Sequence, residues 1–180
     1  MKYKWWFFGL LLFLISLFFD KTIIDYATEN RIIEFNEVAI LFTTYTSWVF
    51  SFLLVGFIIL IWKRKHIYRY LISSGIFFGL IWLIKTAIQR PRPFLEISLI
   101  PTETGYSFPS GHASFAFFSL IFIWKLFPKF KWIWLIIVIL ISLTRVYAGV
   151  HYLSDVIGGM LIGLFFSLLS LKQKLFKFKK

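Results

Sequence analysis

Cysteine is missing from the chain altogether, which removes disulfides, thiolate metal sites and a cysteine nucleophile in one step. Histidine is scarce, with three residues, and only eight acids face twenty lysines and arginines. No stretch is rich enough in Gly, Ser or Pro to act as a linker and no internal repeat is visible. The 180 residues therefore read as one domain, 1–180, with no separate soluble module.

What fills the chain is apolar. Hydrophobic residues make up 59% and aromatics 22% of the sequence, with a mean hydropathy of +0.81. An average soluble domain is roughly 45–50% apolar. The fold class this implies is an all-α integral membrane protein. Crossing about 30 Å of hydrocarbon takes about 20 helical residues. The apolar runs that approach this length lie near 5–22, 44–62, 69–88, 113–127, 131–149 and 154–171, which predicts a bundle of six transmembrane helices. The first and fourth are short and must extend into their flanks or sit where the bilayer is thin. The N-terminal run resembles a secretory signal, but Asp20 and Lys21 stand where a small-residue cleavage site belongs, so it is expected to be retained.

Charge gives the direction. Lys2, Lys4, Lys63, Arg64, Lys65, Arg69, Lys125, Lys129, Lys131, Lys172, Lys174, Lys177, Lys179 and Lys180 share one side of a six-span topology: fourteen cations and no acid. All eight acids fall on the other side, with six cations. Positive loops stay in the cytoplasm, so both termini are expected inside. The formal charge of +12 then marks topology and contact with anionic lipid heads of the bilayer, and nucleic acid is not an expected partner. The tryptophans read as interface belt and lipid-facing bulk. Residues 20–43 mix acids with apolar residues outside; they form either an interfacial amphipathic helix framing a lipid entrance or a surface connector, the preferred reading.

The chemistry-bearing residues collect on that outer side. In WLIKTAIQRPRP, Lys85 lies within a span, where an ammonium costs a few kcal/mol; it either snorkels to the interface or has a compensating role. Pro91 and Pro93 end the helix and restrict Arg92, whose planar fork suits a tetrahedral oxyanion. Arg90 either touches a second phosphate or anchors at the interface. In YSFPSGHASF, Ser110 and Gly111 open the fourth span as a helix start whose free amides and dipole favour anions, though such a pair is usually only a cap; His112 follows in the first turn. In TRVYAGVHYLSD, His151 and Asp155 are four residues apart, within reach on one helix face beside Arg145. A carboxylate on one imidazole nitrogen leaves the other free as base or nucleophile, although such a pair is more often a helix-start contact.

No one of these is decisive alone. Together, three cations, an anion-binding helix start, two histidines and a carboxylate on one membrane face describe a phosphoryl-transfer site. Fixed cations can replace a metal there. Only Glu96, Glu103 and Asp155 could bring carboxylates near, and no His-rich metal spacing exists, so a metal-independent enzyme with no cofactor is expected.

These residues also carry a resemblance. Lys85 with Arg92-Pro93, then Pro109-Ser110-Gly111-His112, then Arg145 with His151 and Asp155, stand in the order and spacing of the type-2 phosphatidic acid phosphatase superfamily of membrane lipid phosphatases, related to the vanadium haloperoxidases. Thr144 replaces the family's usual serine and keeps a hydroxyl. The resemblance implies that His151 takes the phosphoryl group and Asp155 orients it. His112 would protonate the departing lipid oxygen and then activate water. Lys85, Arg92, Ser110, the Gly111 amide and Arg145 would hold the phosphate oxygens. It implies a membrane lipid phosphate as substrate, whether phosphatidylglycerol phosphate, phosphatidic acid, undecaprenyl pyrophosphate or lipid A 1-phosphate, with the site on the outer face of a bacterial cytoplasmic membrane. Two alternatives stand beside it. A lipid phosphoryl-group transferase would share every residue named; an anion transporter would leave His112 and the His151/Asp155 spacing unexplained.

Overall fold

The structure is a computed structural model that describes residues 4–45, 48–93, 98–100 and 103–172. Seven helices make up the described elements: α1 (Lys4–Glu29), α2 (Ile33–Tyr45), α3 (Trp48–Trp62), α4 (Ile67–Ile88), α5 (Gly111–Leu126), α6 (Lys131–Tyr147) and α7 (Leu153–Lys172). There is no strand among the described residues. Four segments are long and apolar enough to cross a membrane: Trp5–Glu29, Arg64–Ile88, Pro128–Tyr147 and Leu153–Lys172. Two shorter apolar helices, Val49–Trp62 and Gly111–Leu126, accompany them. Each of the six apolar runs of the sequence thus coincides with a helix.

The core is organised around α5. Every residue from Ala113 to Leu120 is buried, on all sides of the helix, which is why its apolar residues show no stripe. At 16 residues it is about 24 Å long. A helix this short suits a central position, and the residues that lead directly into it, Ser107, Pro109 and Ser110, are buried against protein. Phe77 of α4 stacks on Phe118 of α5 at 4.8 Å and on Phe166 of α7 at 5.1 Å, with Tyr70 edge-on to Phe122 at 5.0 Å. The outward surface is apolar instead, with Phe18, Trp5 and Ile33 each at least three-quarters exposed.

Lipid tails are as apolar as leucine, so helices in a membrane associate by close packing. In α7, Gly159 and Gly163 provide it. A Cβ at Gly159 would stand 2.8 Å from the Ser110 carbonyl oxygen, and one at Gly163 would collide with the carbonyl of Ser114. Small residues four apart thereby press the start of α7, with Asp155, against the start of α5, with His112.

The segment 20–43 is helical, contrary to the connector reading. α1 continues to Glu29, and α2 follows after a break at residues 30–32. The cause is at the end of α6: Arg31 Nε donates to the Tyr147 carbonyl at 3.0 Å, and the Tyr147 hydroxyl donates to Asn36 Oδ1 at 2.9 Å. Both helices clasp the element that delivers Arg145.

Candidate active site

Four chain segments meet at one end of the bundle. α4 stops when Gln89 takes a left-handed conformation (φ 52°) and its N–H caps the Lys85 carbonyl at 2.9 Å, one residue before the Arg90–Pro91 pair. The extended Arg90-Pro91-Arg92 that follows sends its two guanidinium groups to different partners. Lys85 does not snorkel: its Nζ donates to the carbonyls of Tyr106 at 2.6 Å and Ser107 at 3.4 Å, tying the end of α4 to the loop that leads into α5.

Ser110 occupies the N-cap position of α5, but its hydroxyl makes no capping bond. Its N–H donates to the Asp155 carbonyl at 3.0 Å, while its buried Oγ has no partner among the described residues. The expectation of a capped helix start is therefore half right: the backbone is placed as predicted and the hydroxyl is left over. Gly111 and His112 line the adjoining cavity.

After α6, the chain turns at Gly149 (φ +77°), where a Cβ would meet Arg31 Nη2 at 2.8 Å. The Val150 and His151 N–H groups fold back on the Arg145 carbonyl, each at 3.3 Å. Asp155, in the first turn of α7, reaches back to accept the Tyr152 N–H at 2.9 Å, as a residue in a capping box does. The same oxygen lies 3.5 Å from His151 Nδ1. The pair therefore stands at a helix start, with the carboxylate on the Nδ1 side of the imidazole.

His151 is 1% exposed. Its Nε2 is 3.2 Å from Arg92 Nη1. A guanidinium only donates, so Nε2 must be the acceptor, and the ring proton sits on Nδ1 facing Asp155. Burial, and then the Arg145, Arg92 and Lys85 cations, push the imidazole well below its ordinary value of 6.5, so it is neutral. A neutral imidazole with its Nε2 lone pair directed into a cationic cavity has the form of a nucleophile.

Around this nitrogen the cavity, about 250 Å³, brings together Lys85, Arg92, Gly111, His112 and His151. Arg145, 1% exposed, stands behind, its Nη1 donating to the Thr43 hydroxyl at 2.5 Å. All the site residues expected from the sequence meet at this one end.

Three residues join them that the sequence reading did not place. Asp20 of α1, buried, accepts from Arg90 Nη2 at 2.7 Å and from the Ser154 N–H at 2.9 Å, and also pairs with the Ser154 hydroxyl. Thr43 holds Arg145, and its backbone hydrogen-bonds His112. Glu103, expected only as a carboxylate nearby, lies 2.9 Å from Arg145 Nη2 and 3.4 Å from Arg92 Nη2. Burial alone would raise its carboxyl; Arg145 and Arg92 outweigh burial and hold it at about 2. Arg90 takes neither of its two expected roles. It bridges Asp20 and Asp155, each at 2.7 Å, with Tyr152 stacked on it at 4.3 Å. Glu96 lies outside the described residues. Among the described residues no three His, Asp or Glu side chains are grouped to hold a metal ion.

Comparison with known proteins agrees with this geometry. The family model of the PAP2 superfamily matches residues 66–179. An undecaprenyl-diphosphatase of Sulfolobus acidocaldarius is 34% identical over 95% of this chain and 91% of its own length. A lipid A 1-phosphatase of Rhizobium etli is 39% identical over 56% of this chain and 47% of its own. Among solved structures, a transmembrane PAP2-type phosphatidylglycerolphosphate phosphatase from Bacillus subtilis superposes with a TM-score of 0.73 at 26% identity, covering 95% of this chain and 97% of that one. Aquifex aeolicus LpxE gives 0.75 at 25% identity, over 86% and 95%. The matched region runs from the start of α4 through α7 and contains Lys85, Arg92, His112, Arg145, His151 and Asp155, so this chain belongs to the PAP2 superfamily.

Proposed function

We propose that the protein is a lipid-phosphate phosphatase of the membrane, hydrolysing a terminal phosphate from a lipid through a phosphohistidine. The observation that carries this reading is His151: a buried neutral imidazole beside Asp155, with its Nε2 meeting Arg92 in a cavity lined by Lys85 and Arg92 and with Arg145 behind. Nε2 attacks phosphorus, and the P–O bond to the lipid breaks in line. His112 gives its proton to the departing oxygen. The same residue then takes a proton from water, whose oxygen attacks the phosphohistidine and frees inorganic phosphate and His151. The three cations, the Gly111 N–H and the Ser110 hydroxyl hold the non-bridging oxygens, where charge must be stabilised most. With this charge supplied by side chains, no step needs a metal ion.

The cavity continues past Phe78 and Trp82 of α4 and Phe115 of α5. Trp82 is 61% exposed on the lipid-facing surface. A phosphate head entering here leaves its tails in the bilayer. The segregation of Lys and Arg supports a six-span reading with both termini inside and this end outside the cytoplasmic membrane. Among substrates a polyprenyl diphosphate stands first, because the relative matched along nearly the whole chain is an undecaprenyl-diphosphatase; phosphatidylglycerol phosphate, phosphatidic acid and lipid A 1-phosphate complete the panel.

The test is phosphate release from these lipids by the detergent-solubilised full chain, in EDTA. Turnover of at least one lipid, lost in His151→Ala, is expected. Activity that survives His151→Ala, or that vanishes in EDTA and returns with Mg²⁺, overturns the mechanism.

A further inference from the structure

The two arginines assigned to phosphate already hold an anion. Glu103, from the loop between α4 and α5, places one carboxylate oxygen between Arg145 Nη2 and Arg92 Nη2, at 2.9 and 3.4 Å. It lines the same cavity as His112 and His151. The rest of Arg92 is bonded to backbone: the carbonyls of Gly105 at 3.0 Å, Thr104 at 3.2 Å and Val150 at 2.9 Å. A phosphoryl group within bonding range of His151 Nε2 and of both arginines needs the space and the charges that Glu103 uses. Its side chain is 24% exposed and sits on a loop, so it can swing out without unpacking a helix.

We propose that Glu103 is a specificity-determining residue: a resident carboxylate that an incoming headgroup must displace, which selects dianionic terminal phosphates and turns away the phosphodiesters that make up the surrounding bilayer. This rests on the reading of the cavity as a phosphate site. The selection is a charge comparison. A terminal phosphate carries about −1.5 to −2 at neutral pH and out-competes a carboxylate of −1 for two guanidiniums and an ammonium. A diester carries −1, gains nothing over the carboxylate it must expel, and brings a second bulky substituent. Rejecting the wrong ligand by an element already in the site, rather than by tighter contacts to the right one, is a general route to discrimination. It costs apparent affinity, because only molecules with Glu103 displaced are competent to bind.

A purely structural Glu103, present to aim the arginines, predicts the opposite response to neutralisation. In detergent-solubilised full chain, binding of orthophosphate is measured by titration calorimetry. Inhibition of lipid-phosphate hydrolysis by phosphatidylglycerol, a diester, is measured in mixed micelles. The proteins are wild type, Glu103→Gln and Glu103→Ala. Orthophosphate is expected to bind about tenfold tighter to both variants, and the diester to become a competitive inhibitor that wild type largely resists. Unchanged or weaker phosphate binding in variants that still turn over substrate overturns the proposal, as does a wild type inhibited by the diester as strongly as the variants. If wild type neither binds phosphate nor hydrolyses any lipid of the panel, the phosphatase reading falls first and this inference with it.

Discussion

Two ion-pair clusters lie side by side at the same end of the bundle, and they are built differently. In the first, Asp20, Arg90, Ser154 and Asp155 bond one another at 2.7 to 2.9 Å, joining α1 and α7 to the segment that follows α4. In the second, Arg92, Arg145, Glu103 and His151 approach less closely, and buried capacity is left over: Arg145 Nε and Ser110 Oγ have no hydrogen-bond partner among the described residues, and His151 Nδ1 only the 3.5 Å contact to Asp155. A closed network rigidifies and is costly to break, whereas one with surplus donors is arranged for a ligand. Asp155 belongs to the first cluster and touches the second, so the closed one holds the carboxylate that aims the imidazole of the open one.

Substitutions should separate the two. The largest effect expected is in the open cluster: His151→Ala removes the proposed nucleophile and lowers kcat by at least about 10⁴-fold with little change in thermal stability. Next, Arg145→Lys and Arg92→Lys keep the charge but lose the planar fork, and each is expected to lower kcat/KM by about 10²–10³-fold. Phosphate release and a detergent melt on the same preparations check both. A large loss of stability in these three variants would break the distinction between the clusters.

The closed cluster should behave in the converse way. Asp20→Ala strips a buried partner from Arg90 and from the Ser154 N–H, and is expected to destabilise by about 3 kcal/mol. Activity falls through the loosened Asp155, as a lower kcat at nearly constant KM. A melt unchanged from wild type would show that the network is not structural.

How much of this was legible in the sequence follows the same division. The open cluster was, since its residues stand at short local spacings along the chain: Lys85 to Arg92, Ser110 to His112, Arg145 to His151 to Asp155. The closed cluster was not. Asp20 and Ser154 are 134 residues apart and no local period links them. The one available signal is an acid at the edge of an apolar run, which the outer-side charge already explains. Thr43 was invisible for the same reason, since it reaches Arg145 across 102 residues. α2 looked like a connector because its value lies in clasping α6, and nothing in its own residues says so. The sequence offers Glu103 only as a nearby carboxylate; that it sits between Arg145 and Arg92 is a fact of three dimensions.

The smallest expected effect concerns acid, and it arises inside the open cluster. His151 has a folded value well below 6.5, so between 6.5 and that value the unfolded chain binds a proton that the folded chain does not. Its burial therefore carries no proton-linked cost at pH 7 and above, and costs stability progressively as pH falls below about 6.5. Glu103, held at about 2 against an ordinary 4.5, contributes stability that is intact above 4.5 and lost as pH falls toward 2. Melting temperatures measured in detergent from pH 8 to pH 3 should therefore separate the two groups by window. His151→Ala should show a shallower decline than wild type between pH 7 and 5, while Glu103→Gln runs parallel to wild type there and converges with it only below about pH 4.5. Parallel curves for His151→Ala across the upper window would mean that folding leaves the imidazole at its ordinary value, and that neither burial nor the neighbouring cations keep the proton off His151.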